Sequence, residues 1–226
     1  MTATVYAERV ESHGLGGSHH HILAEVPAGA RVLDLGCASG YLAAPLTARG
    51  CTVTGFERDP AAAELARAHC AEVIVGDVES PEDRDALPGG FDVVVVGDVL
   101  EHLADPWSAL RFVRGLLAPG GVVILSLPNV AAWPVRLGLL RGRFEYADLG
   151  ILDRTHLRFF TRRTAHELAR SAGFEVERER LAHLERAPGP IRRALPRATN
   201  LVDRALVRLW PGLFAQQFVL RLRPQP

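Results

Sequence analysis

Apolar and polar positions along the chain fall into two rhythms that take turns. Short apolar runs lie at 31–35, 52–56, 72–76, 92–97, 121–127, 174–180 and 216–223, and predict strands. Between the earlier runs, 40–49, 60–70 and 106–117 read as helices. The run Val93 to Val96 is continuously β-branched, so both faces of its strand must be covered. Alternation of strand and helix builds βαβ units, a parallel sheet and right-handed crossovers. The last run, Gln216 to Arg223, alternates at its end and follows its predecessor without a clear helical crossover. It suits an antiparallel strand added late.

Residues 183–212 break the pattern. Arg186, Arg192, Arg193, Arg197, Arg204 and Arg208 are interspersed with Pro188, Pro190, Pro196 and apolar residues. Leu201, Val202, Ala205, Leu206 and Leu209 share one face at helical spacing. Two readings stand: a surface helix packed on the domain with its Arg solvated, or a basic amphipathic helix over 197–212 in weak peripheral contact with a membrane surface or an acidic partner. The expected layout is one domain: a helical lead-in at 1–29, a core at 30–182, an Arg/Pro-rich helical insertion at 183–212, and a last strand with its tail at 213–226. A length of 226 residues suits that layout.

Composition narrows the function. A hydrophobic content of 48% and a charged content of 23% are ordinary for a soluble globular chain. The formal net charge is zero, so no whole-molecule field draws it to nucleic acid, and none is expected as a partner. All 26 basic residues are Arg, which excludes Schiff-base chemistry and any phosphate loop that needs Lys. Cys37, Cys51 and Cys70 are odd in number and lack C-x-x-C spacing. That argues against a disulfide framework or structural zinc, and for a cytoplasmic setting. Glu8, Arg9 and Glu11 interrupt the N-terminus, so no signal peptide is expected. The longest uncharged stretch, Gly115 to Val135, contains Pro119, Gly120, Gly121, Pro128 and Pro134, which suit turn–strand–turn and not a membrane helix.

The densest chemistry lies in Val32-Leu-Asp34-Leu-Gly36-Cys-Ala38-Ser-Gly40. A strand ending near Asp34 runs into a turn framed by Gly36 and Gly40, where backbone can approach a ligand closely. Glu57, twenty-one residues after Gly36, closes the next apolar run, where an acid binds the two hydroxyls of a ribose. A nucleoside cofactor follows. A nicotinamide dinucleotide wants a third glycine where this chain has Tyr41, so an NAD-dependent oxidoreductase is the weaker alternative.

The spacing Gly36-x-Ala38-x-Gly40 instead resembles motif I of the class I S-adenosylmethionine-dependent methyltransferases. The resemblance continues through Val75-Gly-Asp77-Val78, through Phe91 to His102, and through the turn Leu117-Ala-Pro-Gly-Gly121. Asp153-Arg-Thr-His156 to Thr161 and Ala172-Gly-Phe174 resemble the subgroup that includes quinone-biosynthesis O-methyltransferases. It implies a Rossmann-like three-layer α/β sandwich with a seven-stranded, mostly parallel sheet of order 3-2-1-4-5-7-6, the last strand antiparallel. It implies S-adenosyl-L-methionine as cofactor, held by Asp34, Gly36, Ala38, Gly40, Glu57, Asp77, Val78 and Asp98. Asp34 contacts the cofactor directly or through water, or else caps the loop. Asp77 reaches the adenine amino group or forms a turn. Ala38 stands where the family usually has Gly, and its methyl group is tolerable if φ is negative.

The implied reaction is methyl transfer to oxygen of a small-molecule or glycan/lipid-linked acceptor; a non-catalytic S-adenosylmethionine-binding partner subunit is the other alternative. A hydroxyl acceptor wants a base. His156, on a polar turn, is the leading candidate, and His102, at the carboxyl end of the fourth strand, is the second. Asp98, Glu101 and His102 form D-x-x-E-H, which in some methyltransferases has a metal-binding counterpart; no metal site is expected here. His19, His20 and His21 suit a surface face or a contact over the cofactor. Asn129, Trp133 and Arg136 follow the fifth strand as candidate acceptor-pocket residues. Arg141, Arg143, Phe144 and Tyr146 are candidates for a lid.

Overall fold

The computed structural model describes residues 15–183 and 196–226. The elements of the sheet are β1 (Arg31–Leu35), β2 (Thr52–Glu57), β3 (Glu72–Val75), β4 (Phe91–Gly97), β5 (Leu117–Pro128), β6 (Phe174–His183) and β7 (Ala215–Pro224). They form one sheet of order β3-β2-β1-β4-β5-β7-β6. The pairings from β3 through β5 are parallel, and β7 runs antiparallel to both β5 and β6.

Helices cover both faces: α1 (Gly17–Glu25), α2 (Ala43–Thr47), α3 (Pro60–Ala66), α4 (Pro81–Asp85), α5 (Pro106–Gly115), α6 (Trp133–Leu140), α7 (Arg162–Ser171), α8 (Pro196–Leu209) and α9 (Pro211–Phe214). Three of them start by one device. Asp59, Ser80 and Asp105 each accept from an amide two or three residues on, and a proline with preset φ follows at the first helical position. The continuous Val93–Val96 run is explained by its two faces. Val93 and Val95 pack with Ile22, Leu46 and Val53, while Val94 and Val96 pack on the other side with Leu110, Leu168 and Phe218. The lead-in helix α1 is fastened to the far edge of the sheet. Its buried Glu25 pairs with Arg178 at 3.5 Å, with Arg221 at 3.9 Å, and with Arg180.

Three expectations need correction. The predicted helix 106–117 ends at Gly115, and Leu117 already pairs with Phe91. Residues 118–121 bulge before Val122 rejoins Val93; a Cβ on Gly121 would meet the Phe91 carbonyl oxygen at 2.7 Å. The helix predicted at 40–49 shortens to α2, because 40–42 complete the turn after β1. The third concerns α8. Its apolar stripe does not pack on the domain: Leu201, Val202 and Leu209 are 70%, 55% and 65% exposed, while Asp203 and Val207 face inward. The remainder of the 183–212 insertion, residues 184–195, lies outside the described residues, as do residues 1–14 of the lead-in.

Candidate functional site

The turn after β1 is held from its neighbour strand. The amides of Gly36 and Cys37 both donate to the Phe56 carbonyl oxygen, at 2.7 and 3.2 Å. Gly36 has φ +74°, and a Cβ there would meet Val99 Cγ2 at 2.6 Å, so only glycine fits. Ala38 does not meet the condition under which its methyl group is easily tolerated: its φ is +48°, not negative. The left-handed conformation costs an alanine about 1–2 kcal/mol. Its amide donates to Glu57 Oε2 at 2.9 Å, and Glu57 Oε1 accepts from Asp59 N–H at 2.9 Å. Glu57 therefore fixes the loop as well as facing the space beside it. Gly40 (φ +78°) serves packing: a Cβ would lie 3.1 Å from Ala66 Cα on α3.

A cleft of about 570 Å³ opens beyond the carboxyl ends of β1, β2 and β4. Of the sequence candidates, Gly36, Ala38, Glu57, Asp77, Val78, Asp98 and His102 line it, while Asp34, Gly40 and His156 do not. Tyr41 also lines it, and the His19 ring lies 5.1 Å from the Tyr41 ring, a rim contact for one residue of the histidine run. Asp34 is buried behind the turn, and its Oδ2 has no hydrogen-bond partner. Burial, with the negative charge of Glu57 nearby, pushes its pKa up to about 7. Asp77 Oδ1 accepts the Glu79 amide at 2.8 Å, the turn-forming arrangement. Asp98 has φ +57° and is clamped by two strands: Ser126 Oγ donates to its Oδ1 at 2.6 Å, as does the Gln217 side-chain amide.

The opposite wall brings together residues distant in sequence. His102 Nδ1 lies 3.2 Å from the Thr155 carbonyl oxygen and 3.1 Å from Thr155 Oγ1, which in turn donates to Asp153 Oδ1 at 2.7 Å. A proton on Nδ1 satisfies these acceptors and leaves Nε2 as a free base. Burial and the neighbouring His156 lower the pKa of His102. The two rings meet edge-on at 4.8 Å. His156 is itself buried, with Nδ1 3.1 Å from the Ile151 carbonyl oxygen. The Glu101 carbonyl oxygen accepts the amides of Leu157 (2.8 Å) and Arg158 (3.0 Å), tying this loop to the turn after β4. Glu101 itself is buried with Oε2 unpartnered, and burial beside Asp98 pushes its pKa well up. Among the described residues, Glu101, His102 and His156 are the one group offering three metal-type ligand atoms, all within 4.8 Å. Asp98, clamped by Ser126 and Gln217, is not in that group.

Other candidates fall elsewhere. Asn129 is fully buried and bonds the carbonyl oxygens of Ala215 (2.8 Å) and Gly212 (3.1 Å), which makes it a structural tie and not an acceptor contact. Arg136 lines a separate cleft. Phe144 and Tyr146 stack edge-on at 5.5 Å, and Phe144 reaches His156 through Phe159. Thr155, Ser126, Gln217 and Val99 were not singled out from sequence. Only Asp153-Arg-Thr155 carried a local signal, an Asp two residues before a hydroxyl.

The cofactor-type wall fits a nucleoside with an amino-acid tail on three structural grounds. The wall at Gly36 admits no side chain, Glu57 is held in place by two amides, and Asp34 keeps an unpartnered buried oxygen. Residues 6–179 match a family model described as a methyltransferase domain. A ubiquinone biosynthesis O-methyltransferase of Pseudomonas aeruginosa is 39% identical over 106 residues, covering 45% of this chain and 46% of that protein. One of Thiobacillus denitrificans is 34% identical over 154 residues, 66% of each. The matched region thus spans about half the length of the first of these relatives. A TehB-like SAM-dependent methyltransferase structure from Corynebacterium glutamicum superposes with a TM-score of 0.61 at 19% identity, covering 99% of this chain and 98% of that one.

Proposed function

The chain belongs to the methyltransferase-domain family, and we propose that it transfers the methyl group of S-adenosylmethionine to an oxygen of a small acceptor. One observation carries the reading: a single cleft is walled by the Gly36–Ala38 turn with Glu57 on one side and by the His102 imidazole on the other. The relatives named for ubiquinone-biosynthesis O-methylation support a hydroxyl as the acceptor group. When bound, S-adenosylmethionine supplies an electrophilic methyl group on a sulfonium, already a good leaving group.

The work left to the protein is positioning, for which about 7–11 kcal/mol of barrier reduction is available. Glu57 takes the ribose hydroxyls, and Asp34, buried behind the turn, backs the loop that faces the cofactor. His102 removes the acceptor's proton at Nε2, adding about 10²–10⁴-fold. Burial and the neighbouring His156 lower its pKa, which favours the neutral ring that can accept a proton. Thr155 and Asp153 orient the ring, and His156 acts as a positioning residue behind it.

The test is methyl transfer from labelled S-adenosylmethionine to a panel of catechols and phenols. The reading expects O-methyl products from the wild-type chain and their loss in His102→Ala. Full turnover in His102→Ala overturns the base assignment. Cofactor binding without transfer to any hydroxyl acceptor favours the non-catalytic subunit.

A further inference from the structure

The helix α8 carries its apolar residues on the outside. Leu201, Val202 and Leu209 are more than half exposed, and so is Trp210 just beyond the helix end, at 57%. Arg197, Arg204 and Arg208 are exposed beside them. Asp203, the only acid between 197 and 212, is 3% exposed and faces inward. None of the three Arg has a carboxylate partner among the described residues. A face that, among the described residues, mixes large apolar side chains with guanidiniums lacking a carboxylate partner and exposes no acid is poorly suited to water alone, and it is complementary to a surface that is apolar beneath and anionic on top.

The short helix α9 follows α8 directly. Gly212 borders a cleft of about 610 Å³ whose walls carry Arg136, Arg162, Arg163 and Arg170. Glu179 engages Arg162 and Glu167 engages Arg163, whereas Arg136 and Arg170 have no carboxylate partner among the described residues. On α6, next to Arg136, Leu139 and Leu140 are 53% and 84% exposed. Basic groups rimmed by apolar ones recur, so the amphiphilic character extends beyond one helix.

We propose that α8, Trp210 and the Arg-lined cleft beside Gly212 form a docking face for an anionic phospholipid surface. Leu201, Leu209 and Trp210 enter the interface, the Arg of α8 meet the lipid phosphates, and the cleft takes a headgroup phosphate. The arrangement lies apart from the cleft of His102 and Glu57, with which it shares no lining residue. It brings the chain to where amphiphilic acceptors partition, without any helix long and apolar enough to cross a membrane among the described residues.

Co-sedimentation of the full chain with vesicles of phosphatidylglycerol, and separately of phosphatidylcholine, tests this. Binding is expected to phosphatidylglycerol only and to weaken as salt is raised. Arg204→Gln/Arg208→Gln is expected to weaken it about 30-fold, at roughly fivefold per Arg near the surface. Leu209→Ser/Trp210→Ser is expected to abolish it. Thermal melting checks the fold of each variant; if the second loses stability, the first, in exposed Arg alone, carries the test. Equal binding to both lipids, no binding to either, or binding indifferent to both variants overturns the proposal. A lipid-free dimer that Leu209→Ser/Trp210→Ser dissolves overturns it too, by assigning the face to a second copy of the chain. Inorganic phosphate that binds at the Arg136 cleft while vesicles do not would assign the cleft to a free anion instead.

Discussion

The two walls of the main cleft are made by opposite means. On one side, a turn and an acid only nineteen residues apart close on each other: Glu57 accepts the Ala38 amide, and glycine at 36 is demanded by a contact with Val99. On the other side, His102 is oriented by Thr155, fifty-three residues later, through a loop tied down by the Glu101 carbonyl oxygen. The first wall is mostly backbone geometry and is dictated locally. The second is a side-chain relay assembled only by the fold. In the proposed function, cofactor recognition depends on the first wall and catalytic chemistry on the second, and the two ought to separate under mutation.

The largest separation is expected at the relay wall. His102→Ala should lower kcat by about 10²–10⁴-fold while the dissociation constant for S-adenosylmethionine stays within about twofold, read by turnover and by calorimetry on one preparation. A comparable fall in cofactor affinity would merge the two walls into one unit.

Next comes Asp34, behind the loop wall. Its folded-state pKa of about 7 lies above the ordinary value of 3.8, so the folded protein binds the extra proton between those values. Stability of the cofactor-free chain should therefore fall as pH rises from about 4 to about 7 and level off above, by about 4 kcal/mol at most. Asp34→Asn should flatten that slope in denaturant titrations across the window. An unchanged slope would mean that Asp34 is not the group that titrates.

Glu57→Gln keeps the size of the side chain and removes its charge. Weakening of charge-assisted hydrogen bonds by about 2–3 kcal/mol predicts near-hundredfold poorer cofactor binding, with kcat at saturating cofactor little changed. The smallest effect is expected at Ala38→Gly. Relief of the left-handed alanine is offset by glycine's entropic cost, leaving a gain of about 1 kcal/mol or less in thermal stability. A loss instead would show that the Ala38 methyl group packs usefully.

This division also governs what was legible in advance. The strand runs and the glycine turn are short-range signals, and the sheet order followed from family resemblance once these were placed. The positive φ of Ala38 was not legible, because alanine carries no left-handed signature; the amide-to-Glu57 bond that holds it is tertiary. His156 ranked above His102 on its polar turn alone, yet the fold buries it behind His102. Asn129 has the sequence position of a pocket residue, but its side-chain amide holds the backbone of Gly212 and Ala215, a tertiary contact with no local signal. In α8, periodicity located an apolar stripe correctly but carried no information on which way the helix is turned.

The central claim, that the Gly36–Glu57 wall is an S-adenosylmethionine site, is tested most directly by calorimetric titration of the wild-type chain and Glu57→Gln with S-adenosylmethionine and with NAD. The account predicts saturable one-site binding of S-adenosylmethionine, weakened about a hundredfold by the substitution, and no binding of NAD. No binding of S-adenosylmethionine, or binding that ignores Glu57→Gln, would contradict it.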